Sequence, residues 1–226
     1  MRSLVFDSGP IISFTLNNLL WLLPPLKKKF NGRFIIAGET KKELVDRPLA
    51  SKKFKFEAYQ IIELLSQGIL EVEEINKTET DRILEIANSC FSCNNQDIQI
   101  IHRADAEGLI LTKQQSLKCF VVDERTERLL IENPLRLRQV LERRLQKRLS
   151  MNEEAIDKFI AYAKGVTLLR STEIATIAFE LGLLDKYAVN GKRDVLDAVL
   201  WGLKLNGCSI SREEIQDILR IEKARA

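Results

Sequence analysis

Leu4-Val5-Phe6-Asp7-Ser8-Gly9-Pro10 is the stretch on which the fold turns. Three apolar residues end at a carboxylate, and a Gly-Pro pair follows. That order predicts a short buried strand running into a helix, because Pro10 suits a first helical turn where no N–H is needed. The helix is expected to pass through Ile11, Phe14, Leu19 and Leu22 and to stop at Pro24. The same unit then recurs. Phe34-Ile35-Ile36 reads as a second strand, Ile69 to Val72 as a third, and Cys119-Phe120-Val121-Val122 as a fourth. Helical patterns lie between them: Thr40 to Pro48, Phe54 to Gln67, Thr78 to Cys90 and Ala104 to Ser116. Gln99-Ile100-Ile101 reads as a short edge strand. Strands alternating with helices place the chain in the α/β class, with a parallel sheet of about four strands flanked by helices.

Beyond Asp123 the pattern changes to helix alone. Ser150-Met151-Asn152-Glu153 and Ser211-Arg212-Glu213-Glu214 have the S-x-x-E form of a capping box. The stretches 173–184, 194–205 and 213–224 repeat apolar residues at three-four spacing, and Asn190-Gly191 and Asn206-Gly207 read as turns. The expectation is an α/β domain over residues 1–133 and an all-α extension over 134–226, divided near Pro134.

With 226 residues, 45% apolar and 30% charged, the chain has the make-up of a globular protein with a real core. Its longest apolar run, Leu19 to Leu23, is stopped by Pro24-Pro25, far short of the roughly 20 residues that cross a bilayer. No basic-then-apolar leader opens it, so a cytoplasmic protein without membrane contact is expected. Cys90 and Cys93 form a lone CxxC, Cys119 and Cys208 lie apart, and His102 is the sole histidine. Reduced structural thiols are expected, with a zinc site or a Cys90–Cys93 disulfide as the alternatives.

The net charge of +3 is unevenly spread: Leu135 to Arg148 alone carries +5. Arginines at this density suit phosphates. Leu137, Leu141 and Leu145 recur there at helical spacing, so the segment also reads as an amphipathic helix with a solvated basic face.

Asp7, Glu43, Asp105 and Asp123 sit where strand ends and helix starts would bring them together. In an open parallel sheet, ligands bind beyond the carboxyl ends of the strands. Carboxylates converging there repel one another unless protonated or bridged by a cation. Oxygen donors without imidazole or thiolate favour Mg²⁺ or Mn²⁺. Each acid also has a plainer role open to it. Glu43 completes a Thr40-x-x-Glu capping box, Asp105 suits a helix dipole, and Asp123 suits a helix cap. Asp7 is the hardest to assign to capping, and Glu39 reads as a solvated acid at a helix start.

The segments "LVFDSGPII", "FIIAGETKKELVDRP", "HRADAEGLIL" and "CFVVDERTERLL" follow one another in the order of the four acidic motifs of PIN-domain nucleases. Over about Met1 to Asn133 the chain resembles that family, and its tail is similar to extensions on longer archaeal members. The resemblance implies a PIN-like sheet and a metal-dependent endoribonuclease that leaves 5′-phosphate and 3′-hydroxyl ends. Asp7, Glu43, Asp105 and Asp123 would then be catalytic. Asp7, Asp105 and Asp123, with Glu107 and Glu124 as secondary acids, would hold Mg²⁺ or Mn²⁺, and Ser8 would support them. Two positions depart from the family pattern: Val122 stands where Thr or Ser is common, and Glu124 where Asp is frequent.

The implied partner is RNA, single-stranded or structured. Phosphate contacts are expected from Arg125, Arg128, Arg136, Arg143, Arg144 and Lys147. A haloacid-dehalogenase-type phosphatase also starts with a strand-end Asp but needs a second one two residues later, where this chain has Gly9. The alternatives that stay open are an inactive PIN-like RNA-binding or assembly module and the toxin of a toxin–antitoxin pair. The tail could form a homodimer or dock a protein partner.

Overall fold

The computed structural model describes residues 2–189 and 192–225. Its centre is a five-stranded parallel sheet of β1 (Ser3–Phe6), β2 (Arg33–Ala37), β3 (Glu71–Glu73), β6 (Cys119–Val121) and β8 (Thr167–Leu169), in the order β3-β2-β1-β6-β8. A small antiparallel sheet joins β5 (Gln96–Asp97), β4 (Phe91–Cys93) and β7 (Ser150–Met151). The class is α/β, as the alternating pattern predicts.

Alternation along each strand sorts the core into two layers. Leu4, Phe6, Phe34, Ile36, Cys119 and Val121 belong to the larger cluster. They meet α1 (Ser8–Leu16), α2 (Leu23–Phe30), α5 (Lys55–Ser66), α11 (Ser171–Glu180), α12 (Lys192–Leu205) and α13 (Arg212–Arg225). Val5, Ile35, Ala37, Phe120 and Val122 face Leu111 of α7 (Arg103–Gln114). Gly108 lets α7 come this close, since a Cβ there would lie 2.6 Å from the Phe120 ring. A third cluster joins α7 to α6 (Lys77–Asn88), α8 (Arg125–Glu132), α9 (Pro134–Leu145) and α10 (Glu153–Ala163).

The residues after Pro134 are therefore neither all-helical nor appended. They supply β7 and β8, and Ile174, Leu196, Leu200, Leu203, Ile215 and Leu219 are buried in the same core as β1. The signal for β8 was weak because Thr167-Leu168-Leu169 is three residues long and half-exposed. The sheet has five strands rather than about four for this reason.

Several boundaries also differ. The first helix ends at Leu16, where Asn18 turns left-handed at φ 54°, and Pro24-Pro25 open α2 instead of closing α1. Residues 99–101 form no strand; Asn88 Oδ1 accepts from the Ile100 and Ile101 N–H groups instead. The Ser211–Glu214 box forms reciprocally. At residue 150 the chain is still in β7, and Asn152 caps α10 in its place. Asn206-Gly207 is a turn, and Asn190-Gly191 lies outside the described residues. All four cysteines are free thiols. Among the described residues, no helix is long and apolar enough to cross a membrane.

Candidate metal centre

Register places the site. Phe6 pairs with Val121, and Val121 with Leu169, so three strands end level. Past that edge stand Asp7, Asp123 and the start of α11. Asp7 caps α1, with Oδ2 accepting the Gly9 N–H at 3.1 Å. Gly9 eases this approach, because a Cβ there would sit tight against Asp7 Oδ2 at 3.3 Å, though only in ordinary contact with the Asp123 Cβ at 3.6 Å.

Asp105 reaches the same point from the first turn of α7. Its Oδ2 accepts the His102 N–H at 2.7 Å, so capping and placement are one act. The third member is Glu127, from the first turn of α8. One oxygen each from Asp7, Asp105 and Glu127 lies within 4.8 Å of the others, and all three residues are buried. This cluster could hold a metal ion, and no cysteine belongs to it. The fit shows in two orphaned atoms: Asp7 Oδ1 and Glu127 Oε2 are buried with no hydrogen-bond partner. An ionised oxygen in that state is costly unless a cation faces it.

The electrostatics agree. Burial, reinforced by the Asp105 charge, raises the Asp7 carboxyl to about 7. Burial also raises Asp105 to about 7, with the Glu124 and Glu43 charges adding to it. Glu127 is pushed well up, first by burial and then by Asp105 and Asp7. A cation would reverse all three effects, since it favours the charged forms that burial opposes.

Of the other expected ligands, Asp123 is spent elsewhere. Its Oδ1 accepts the Ser171 N–H at 2.8 Å, and its Oδ2 accepts the Ser13 and Ser171 hydroxyls, each at 2.7 Å. It pins α1 and α11 together on the wall of the cleft that Asp7 and Asp105 also line. Ser171→Ala is expected to cost about 1–3 kcal/mol, a hydrogen bond lost from a buried acceptor. Thermal melts should fall by several degrees with metal affinity unchanged; a large change in affinity would return Asp123 to the ligand set.

Glu107 is also engaged away from the cluster, accepting the Glu39 N–H at 2.9 Å. Glu43 sits in a π-helical turn, Lys42–Asp46, a distortion frequent at functional sites. It makes no capping box with Thr40; its Oε2 accepts the Ser8 hydroxyl at 2.9 Å, and its Oε1 pairs with Arg47 at 3.2 Å. Glu43, Ser8 and the exposed Glu124 line a cleft of about 370 Å³ with Asp7, Asp105, His102 and Asp123.

A second cleft, of about 830 Å³, shares Arg125 and Ser209 with the first. Arg125, Arg128 and Arg136 line it with Lys204 of α12. Arg128 is partly occupied, donating to the Ser209 carbonyl and pairing with Glu132. Arg143 and Arg144, in the last turn of α9, and Lys147 beyond it are exposed and line neither cleft. The basic helix thus contributes one end of its charge to this surface. Compared with known proteins, the chain matches no family model, no curated protein and no solved structure.

Proposed function

We propose that the protein is a metal-dependent endoribonuclease of the PIN-domain kind. The observation that carries this reading is the buried Asp7–Asp105–Glu127 cluster with two unpartnered oxygens, whose Asp7 and Asp105 line a cleft that shares Arg125 with the arginine-lined one. Asp7, Asp105 and Glu127 would hold one Mg²⁺ or Mn²⁺, ions that suit an all-oxygen set. Such an ion supplies Lewis acidity to a phosphodiester and lowers the pKa of attacking water.

The chain's own groups do the rest. Glu43, whose Oε2 accepts the Ser8 hydroxyl and which lines the cleft, would take the proton of the attacking water. Arg125 stands where both clefts meet and has no ion-pair partner among the described residues, which suits a substrate phosphate. RNA is the substrate class in this reading. An all-acidic centre repels a phosphate backbone, so attraction falls to Arg125, Arg128, Arg136 and Lys204, and binding should weaken steeply with salt.

One observation favours a second reading, an inactive RNA-binding module: the satisfied carboxylate of Asp123 leaves three acids, not four, at the centre. Cleavage of a labelled single-stranded RNA pool separates the two. Cutting in Mn²⁺ or Mg²⁺, abolished by EDTA and by Asp7→Asn, is the expected result. Salt-sensitive binding without cutting would replace the nuclease with the module.

A further inference from the structure

The turn between Leu49 and α5 has no role in the chemistry above, yet its composition is unusual. Lys52, Lys53, Phe54, Lys55 and Phe56 are consecutive and all exposed. Phe56 is 72% exposed and Tyr59, one helical turn on, 56%. Large aromatic rings left in water in such a group mark a surface with a partner. Phe54 also holds a left-handed backbone, φ 61° and ψ 19°, a conformation that bulky side chains rarely adopt. The loop keeps that shape through its own bonds, with the Ser51 hydroxyl against the Lys53 carbonyl at 2.7 Å and the Ala58 N–H against the Phe54 carbonyl at 3.1 Å. The ring is therefore presented on a built turn.

What it faces is informative. Phe54 lines an apolar slot of about 90 Å³ with Leu16, Leu44 and Pro48, and the slot shares Ile12 and Glu43 with the acidic cleft. Glu57, also on the wall, offers a carboxylate acceptor. Lys53 Nζ stands over the Phe54 ring, 4.7 Å from its centroid, so a cation caps one ring face and the other is left for stacking. Single-strand binding sites combine these two elements: basic groups that follow the backbone and aromatic faces on which bases stack, tolerant of sequence.

We propose that Phe54 and its lysines form a nucleobase subsite for single-stranded RNA, receiving a base one step from the phosphate at the acidic cleft. The inference rests on the cleft being an RNA site, and it names the form of the RNA. A duplex keeps its bases stacked inside and cannot lay one on Phe54; a single strand can. The arginine cleft, lined from α8 and α12, joins the acidic cleft at Arg125 and Ser209 and shares no residue with the Phe54 slot, so a strand running from one to the other would pass the acids.

The test uses full-length protein carrying Asp7→Asn, in EDTA, so that nothing is cut. Affinity is measured for a short oligouridylate and for an abasic strand of the same length. Phe54→Ala should weaken oligouridylate binding roughly tenfold or more, the loss typical of one stacked base, and leave the abasic strand unaffected. Phe54→Trp should retain affinity, and its added fluorescence should be quenched by oligouridylate alone. If alanine impairs folding, Phe54→Leu keeps apolar bulk without a stacking face and should bind as weakly. Equal affinity in parent and alanine variants, or equal loss on both strands, overturns the subsite. No binding of either strand also overturns it, whereas metal-induced stabilisation and cleavage by the unmodified protein report on the acidic cleft separately.

Discussion

Glu127→Gln is expected to remove metal-dependent cleavage by 100-fold or more and, in the same molecule, to stabilise the metal-free protein at pH 8. Both effects have one source. Glu127 is 2% exposed, its Oε2 has no partner, and burial with the Asp105 and Asp7 charges pushes its carboxyl well above the usual range. Ionised without a cation, it is a cost that the fold carries; with a cation, it is a ligand. The amide cannot ionise, so the cost disappears and so does the ligand. The gain in melting temperature over the parent should be present in EDTA at pH 8 and shrink towards pH 5, as the pH nears the ordinary carboxyl range and the unfolded chain too begins to hold the proton. A glutamine variant that cleaves like the parent would take Glu127 out of the ion site.

The second large effect is a pH-dependent response to the ion. In the folded, metal-free protein, Asp7 and Asp105 are raised from 3.8 to about 7. The folded state thus keeps protons that the unfolded chain gives up. Stability is fully present below about pH 4 and is lost as pH rises towards and through 7. At 1.36 kcal/mol per unit, either group alone would account for about 4 kcal/mol, and because each raises the other the two are not additive. Between pH 5 and pH 8 about 3 kcal/mol of this is lost, a fall of roughly 5–10 °C in Tm in EDTA for a chain of this size. Mg²⁺ or Mn²⁺ should restore most of it at pH 8 and almost none at pH 5, since protons compete for the same oxygens. Calorimetry near pH 6.5 should record protons released on binding. A metal-free Tm that rises from pH 5 to 8 would mean that these carboxylates are not held as described.

How far the sequence carried this reading differs from residue to residue. Asp7 was legible because its position is local: an apolar run, an acid, and Gly-Pro to turn the chain. Asp105 was legible for the same reason at a helix start, and the carboxylate that caps the helix is also the one that joins the buried cluster. Glu127 was missed because it lies within Glu124-Arg-Thr-Glu-Arg, which reads as a solvated charged turn. A signal existed: Glu127 precedes Leu130 by three and Ile131 by four, so the helix phase turns it inward. Asp123 was found but its partner was not. Ser171 is 48 residues away and carries no motif, so nothing local showed that the carboxylate would be satisfied. The sheet failed in the same way, with β8 too short to announce itself and defined only by its pairing with β6.

That pairing bears on how the chain is made. During synthesis, β1, β2, β3 and β6 are all available once residue 121 has emerged, but the outer side of β6 waits for residues 167–169. Through that interval Cys119-Phe120-Val121 offers unpaired N–H and C=O groups beside an apolar surface, the kind of edge that recruits strands from other chains. A protein cut at residue 133 would keep that edge permanently. Residues 167–169 thus close this edge late, and a ribosome pausing before residue 167 is expected to raise the nascent chain's tendency to aggregate.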